Sequence, residues 1–409
     1  MGYLRKSIVE IHEALIKGLV TPEELVDEAL TKVYKDTHNS FEFICEKHAK
    51  SQLNLIKNLD KSNLLWGIPF VVKDNFSSKD IPTCASSNIL KNYEPVFSAE
   101  VIERLENQGA ILIGKTTLDE FGMGGHGKSG HKGYVYNPWD PSHKREIGGS
   151  SSGSAAAVCS GIVPFSIGSD TGDSVRKPAS YSSLVGFKPT WGRISRYGLF
   201  PFAPSLDHVA FFTRNVKDSA IVLKAISGHD DKDLTSSKKE LCTEILSPNN
   251  KVSNKKFAVI KEIYDDIPEN NIKKSFDDLL KKLKNAGNDI VFVNLDKKLC
   301  EAILPTYFVI SSSEATSNLA CLDGIKYGAR VEDPNYESSV IKTRTQGFSE
   351  QIKQRLIIGS YALQKENYEE WFVEKLSFRG GKFVVAWKGE IIECNYFPIG
   401  WIFFLTSPV

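Results

Sequence analysis

Three side chains have the types and settings for acyl-transfer chemistry. Lys73 closes the apolar run Gly67-Ile68-Pro69-Phe70-Val71-Val72. Ser150 lies in the turn Gly148-Gly149-Ser150-Ser151-Ser152-Gly153-Ser154, and Ser174 lies in Ser169-Asp170-Thr171-Gly172-Asp173-Ser174-Val175-Arg176. A lysine carried into an apolar site loses the hydration that favours its charged form, so the neutral amine can act as a base. Serine is a poor nucleophile until a base takes its proton. A second hydroxyl, donor and acceptor at once, can relay that proton from nucleophile to lysine. The consecutive main-chain N–H groups of Thr171, Gly172, Asp173 and Ser174 are placed to receive an oxyanion. Singly, each residue has a plainer explanation: an ion pair of Lys73 with Asp74 or Asp170, and turn chemistry for the serines. Only the combination carries the reading.

Two other motif matches fail on context. Gly122-Met123-Gly124-Gly125-His126-Gly127-Lys128-Ser129 fits the phosphate-binding pattern GxxxxGK[ST], which works only between an entering strand and a leaving helix. Leu118 to Phe121 reads as helix, and Gly130 to Tyr134 cannot easily start one. Gly149 to Gly153 fits GxSxG, but that elbow needs an apolar strand before it, and Asp140 to Glu146 is polar. His126 and His131 share a loop without a third ligand nearby in sequence, so spacing indicates no metal site. The seven cysteines are scattered and form no CxxC pair, which fits reduced thiols rather than zinc or disulfides.

The elements that must position these residues are short strands alternating with helices, the pattern of an α/β fold. Helices are expected over Ser7–Lys17, Thr21–Lys35 (a capping box, Thr21 with Glu24), Phe41–Leu59, Ser98–Asn107 and Thr116–Phe121. More follow at Ala155–Ser160, Val216–Ser227, Ile272–Ala286, Tyr307–Leu322 and Ser349–Tyr361. Strands are expected at Gly67–Lys73, Ala110–Gly114, Val163–Gly168, Leu184–Thr190, Phe257–Ile260 and Asp289–Leu295. Turn-rich sequence runs to Asp207, and Gly228–Lys255 is polar enough for a surface excursion. The composition, 41% hydrophobic and 25% charged over 409 residues, supports a large core. A net charge of +1 offers no broad basic face, so any nucleic acid would meet most of its phosphate contacts on a partner. No secretory signal and no membrane span are visible.

Gly-Gly-Ser-Ser-Ser-Gly-Ser at 148–154, Gly-Ser-Asp-Thr-Gly-Asp-Ser-Val-Arg at 168–176 and Gly-Ile-Pro-Phe-Val-Val-Lys-Asp at 67–74 resemble, in order and spacing, the hallmark segments of the amidase signature family. The resemblance implies a central mixed, twisted sheet covered by helices on both faces. It also implies a Ser–cis-Ser–Lys triad that hydrolyses amides: Ser174 acylated, Ser150 bridging after a cis peptide, Lys73 the base. Thr116 to Gly124, Gly192 to Leu199, Ser313 to Leu319 and Gly359 to Leu363 are similar to the branch formed by the glutaminase (A) subunits of tRNA-dependent amidotransferases. That likeness implies glutamine as substrate, bound with help from Arg355, Gly124 and Tyr307. It implies a cytoplasmic heterotrimer with B and C subunits, and ammonia delivered to B. Misacylated tRNA, ATP and Mg are then expected on the partner, with no cofactor on this chain. The similarity runs from about Tyr3 to Tyr368. Residues 1–60 are expected as a helical segment packing on the core, and 61–409 as the catalytic domain.

Four departures from the pattern stand out. Asp173 occupies a position where relatives have Gly, beside the proposed oxyanion donors. Pro204 replaces a Ser, and Ala210-Phe211 replaces a Gly-Pro. From about Phe378 the similarity decays into a short or divergent C-terminus ending in strand-like Trp401 to Pro408, and the aspartate expected to hold the substrate amino group would lie in that part. A free-standing amidase of small amides and a catalytically impaired scaffold subunit therefore stand as alternatives.

Overall fold

A computed structural model of the chain describes residues 2–241, 253–268 and 270–373, and the backbone of two strands at 383–387 and 390–394. At its centre is a six-stranded sheet. Its strands are β1 (Phe41–Ile44), β2 (Pro69–Lys73), β3 (Ile111–Thr116), β4 (Phe165–Ser169), β5 (Val185–Phe187) and β6 (Val209–Thr213). They lie in the order β1-β3-β2-β4-β6-β5. β2 runs parallel to both β3 and β4, while β1, β6 and β5 join antiparallel. Every residue of β2, β3, β4 and β6 is buried. This is why Phe70-Val71-Val72 reads as an unbroken apolar run: both faces are covered. Helices Pro22–Tyr34 and Glu46–Leu55 pack against β3, Ser152–Cys159 against β2, β4 and β6, and Val216–Ile226 against β5 and β6. Because β2, β3 and β4 are parallel, Lys73, Thr116 and Ser169 all emerge at one edge of the sheet, the edge where ligands bind in such layers.

The N-terminal helices start where their caps predict. Ser7 and Thr21 each form a complete capping box, with Glu10 and Glu24, and each cap contributes about 1 kcal/mol. Residues 41–59 differ from expectation. The β-prone segment Phe41-Glu42-Phe43-Ile44 pairs with the open edge of β3, and helix begins only at Glu46. Residues 1–60 are therefore not purely helical. They complete the main sheet and share its core, with Leu4, Ile8 and Leu25 in the same cluster as Phe70, Ile111 and Phe165. Thr116 belongs to β3, leaving only a single 3-10 turn at Glu120–Gly122 where a short helix was expected. Ala210-Phe211 lies within the unexpected strand β6, paired with Gly168 and Ile167.

Asp230 and Asp233 fix the first part of the polar excursion. Asp230 accepts from Ser195 Oγ (2.5 Å) and Asp233 from the Arg196 amide (2.8 Å), both carboxylates being buried. Residues 242–252 lie outside the described residues. Next, β7 (Lys256–Ile260) and β8 (Asp289–Val293) pair in parallel across helix Asn271–Asn285. Helices Lys297–Asn318 and Glu350–Ala362 then pack closely. A Cβ at Gly359 would lie 2.1 Å from the Ser312 carbonyl oxygen, so only glycine permits this approach. Further along, β9 (Phe383–Trp387) and β10 (Glu390–Cys394) form an antiparallel pair; Trp401 to Pro408 lies outside the described residues.

Candidate active site

Lys73 ends β2 and is fully buried. Its Nζ donates to Ser150 Oγ at 2.7 Å and to Ser169 Oγ at 2.9 Å. The peptide bond Gly149–Ser150 is cis. The ion pairs that would make Lys73 merely structural are taken by other residues. Asp74 pairs with Lys115 at 3.0 Å, and Asp170 pairs with Arg176 at 3.0 Å and with Lys188 at 2.9 Å. Lys115 is equally buried but holds a carboxylate, the Phe76 carbonyl and the Thr83 hydroxyl. Lys73 touches hydroxyls and a carbonyl instead. Burial pulls its pKa down from 10.5 to about 7, against the more distant pull of Asp119, Asp170 and Asp207.

Ser174 lies on the loop from β4 to helix Arg176–Tyr181. Its carbonyl accepts from the Ser151 amide at 3.1 Å, which ties the two Gly/Ser turns together. Among the described residues no hydrogen bond joins Ser174 Oγ to Ser150 Oγ. The loop is pinned from within. Asp170 accepts from the Val175 amide (3.0 Å) and from Arg176 Nε (3.1 Å), and Thr171 Oγ1 donates to buried Asp207 at 2.6 Å. The two cations hold the Asp170 carboxyl well below its ordinary pKa despite burial. Among the described residues no acceptor meets the amides of Thr171, Gly172, Asp173 or Ser174, so four consecutive N–H groups remain free. The Asp173 carboxylate turns to Lys177 at 3.4 Å, which reduces the charge it presents to those donors.

Asp119 explains the phosphate-like motif. Its carboxylate accepts from the amides of His126 (3.2 Å), Gly127 (3.0 Å), Lys128 (2.8 Å) and Ser129 (3.0 Å), and from Ser129 Oγ (2.9 Å). The N–H groups that would cradle a phosphate are thus spent on an internal anion. The same carboxylate lies under Gly124, where a Cβ would fall 2.4 Å from Asp119 Cγ. The Asp119 amide donates to the Ser150 carbonyl at 3.1 Å, so loop and site are coupled. Asp119→Ala would orphan these donors, and the expected loss is about 3 kcal/mol or more, read as a lowered urea midpoint.

Tyr307 and Arg355 come from the two closely packed helices. The Tyr307 ring covers Gly172, whose Cβ position lies 3.2 Å from the Tyr307 hydroxyl. Arg355 lies over the Phe308 ring at 3.9 Å, and its Nη1 is buried without a partner. Burial lowers its pKa. A buried guanidinium nitrogen with nothing to bond suits a carboxylate ligand.

Sequence reading missed Ser169 and Asn75. Asn75 Nδ2 donates to Ser169 Oγ at 2.9 Å, which holds that hydroxyl against Lys73. The signal is the parallel register: Val72 lies opposite Ile167, which brings the end of β4, Gly168-Ser169, alongside the end of β2. That register cannot be read before the strands are paired.

The amidase family model matches residues 24–385. The A subunit of Glutamyl-tRNA(Gln) amidotransferase from Pediococcus pentosaceus is 39% identical over 384 residues, covering 93% of this chain and 78% of the relative. The protein of the same name from Latilactobacillus sakei is 40% identical, covering 91% and 76%. The crystal structure of the A subunit of Glutamyl-tRNA(Gln) amidotransferase from Thermotoga maritima is similar with a TM-score of 0.64 and 34% identity, over 87% of this chain and 74% of that one. A crystal structure of an amidase matches with a TM-score of 0.72 and 29% identity, over 92% and 77%.

Proposed function

The chain belongs to the amidase family, and on that premise we propose that it is the glutamine-hydrolysing A subunit of a tRNA-dependent amidotransferase. The observation that carries the reading is Lys73: a buried amine without a contacting carboxylate, hydrogen-bonded to Ser150. The names of its relatives, subunits of Glutamyl-tRNA(Gln) amidotransferase, supply the substrate.

Ser174 Oγ attacks the side-chain carbonyl carbon of glutamine. Its proton passes to Ser150 Oγ, and the Ser150 proton passes to neutral Lys73 Nζ. This relay requires Ser174 Oγ to come within hydrogen-bond reach of Ser150 once substrate fills the site, a tightening common on substrate binding. The free amides of Thr171 to Ser174 bind the oxyanion. When the tetrahedral adduct collapses, the C–N bond breaks and Lys73 returns its proton through Ser150 to the departing ammonia. Water then hydrolyses the acyl-serine by the same relay. Arg355 pairs with the substrate α-carboxylate, Tyr307 packs beside it over Gly172, and Gly124 borders the pocket. Ser169 and Asn75 orient the Lys73 amine.

The ammonia goes to a B subunit, which converts Glu-tRNA(Gln), Asp-tRNA(Asn) or both with ATP and Mg, and a C subunit joins the two. This chain carries no cofactor for the reaction, meets tRNA mainly through B, and works in the cytoplasm. No helix among the described residues is long and apolar enough to cross a membrane. Reconstitution tests the assignment. The full chain with B and C subunits, ATP-Mg, glutamine and misacylated tRNA is expected to form amidated tRNA, and glutaminase activity should rise at least about tenfold over the chain alone. High activity of the isolated chain on simple amides, unchanged by the partners, would make it a free-standing amidase.

A further inference from the structure

We propose that Glu42, Cys84 and His131 form a site for a single zinc-like divalent cation. In sequence these residues are far apart, and His131 shares its loop only with His126. The structure separates the two histidines: His126 turns to Glu146 at 2.7 Å, while His131 meets a carboxylate from β1 and a thiol from the loop after β2. His131 Nε2 lies 3.0 Å from Glu42 Oε2 and 3.9 Å from Cys84 Sγ, and Sγ lies 4.0 Å from Glu42 Oε2. A tetrahedral zinc with bonds of about 2.3 Å to sulfur and 2.0 Å to nitrogen and oxygen sets its ligand atoms roughly 3.3–3.6 Å apart. Shifts of a few tenths of an ångström would admit the ion.

The surroundings are built as metal sites are built. His131 Nδ1 lies 3.1 Å from Asn88 Oδ1; donation there leaves Nε2 with its lone pair free toward the cluster. Glu42 Oε1 accepts from Ser86 Oγ at 2.5 Å, and Ser86 Oγ accepts from the Leu118 amide at 3.0 Å, so the carboxylate is held. Imidazole, thiolate and carboxylate together suit zinc better than magnesium or calcium. Glu42 and a Cys84 thiolate balance the charge of a divalent ion. Binding displaces the thiol proton to solvent and leaves a fourth position for water. Two further side chains reach the cluster: Asp74, whose Oδ2 accepts from Cys84 Sγ at 3.2 Å, and Lys132, 3.3 Å from Glu42 Oε2 and 40% exposed. Lys132 competes with the ion for Glu42 while its Nζ also donates to the Phe41 and Glu42 carbonyls at 3.1 and 2.6 Å, and the ion takes the thiol from Asp74 when it binds. Behind the site, the Cys84 amide donates to Asp74 Oδ2 at 2.8 Å, next to Lys73. An ion here would clamp β1, the loop after β2 and the Gly-rich loop together at the edge of the catalytic centre.

Cobalt titration of the reduced full-length chain is the test. One equivalent is expected to give thiolate-to-cobalt charge-transfer absorption that zinc abolishes by displacement. Cys84→Ser should lose the band, His131→Ala should weaken binding about tenfold or more, and Lys132→Ala should tighten it. Zinc should raise the thermal midpoint of the wild-type chain and raise that of His131→Ala by clearly less at the same concentration. The His131 side chain is 17% exposed, so the metal-free thermal midpoints of the His131 and Cys84 variants are measured alongside to show that each keeps the fold. Absence of the band, or a band that survives Cys84→Ser and His131→Ala, overturns the proposal and leaves a cluster held by hydrogen bonds alone.

Discussion

Ser174→Ala is expected to lower glutamine-driven tRNA amidation by about 10⁴-fold or more, while amidation driven by added ammonium stays near wild type. The first effect follows from the chemistry: without Oγ nothing attacks the carboxamide, and the relay through Ser150 has no proton to move. The second follows from the division of labour proposed here, since free ammonium bypasses the glutaminase. Folding should hardly register the change. Ser174 is tied in through its carbonyl, which accepts from the Ser151 amide, and among the described residues its hydroxyl makes no hydrogen bond that alanine would break. A stability change within roughly 0.5 kcal/mol is therefore expected. Unchanged glutamine-driven amidation would remove Ser174 as nucleophile and leave the chain a scaffold. Loss of both activities would point instead to damage in the complex.

The parts of this site legible in the sequence are those encoded locally. Lys73 can be placed because an apolar run announces a buried strand and the lysine closes it. The two Gly/Ser turns can be placed because glycine and serine mark sharp backbone. What cannot be read depends on pairing between distant segments. Ser169 meets Lys73 only through the β2–β4 register. Glu42 and Cys84 meet His131 only because β1 caps the edge of β3. The segment 41–44 reads as helix for a related reason: four residues carry too little periodicity to tell strand from helix, and the free edge of β3 decides it.

The letters Gly122 to Ser129 show the opposite error that motifs invite. Their amides do converge on an anion, but the anion is Asp119 of the same chain. Context on both sides of the loop is enough to discard the phosphate reading, yet nothing in it names the replacement. Asp173 is the reverse case. By sequence it is the least explicable residue of the nucleophile loop, and Lys177 one helical turn later accounts for it.

Lys73→Met is expected to abolish glutamine hydrolysis and, at the same time, to stabilise the fold. Both results follow from one buried amine. Wild-type activity should rise with pH through about 7, where the folded-state amine loses its proton, and then level off; in the variant that rise disappears with the activity. The stability effect has a definite sign. In the unfolded chain Lys73 titrates near 10.5 and in the folded chain near 7, so between these values the unfolded state binds more protons. Stability must therefore rise with pH across this window. Below pH 7 the full cost applies, because the folded protein then carries a desolvated charge. A shift of this size corresponds to about 5 kcal/mol. Methionine fills similar volume without charge but leaves Ser150 and Ser169 short of one partner each, so the net gain should be smaller, about 1–4 kcal/mol. The signature is in the pH dependence. The variant's advantage in unfolding free energy should be largest at pH 7 and below, and should fade as pH approaches 10.5. An advantage independent of pH, or a variant less stable than wild type at pH 7, would mean that Lys73 is a compensated structural cation and not the base of this site.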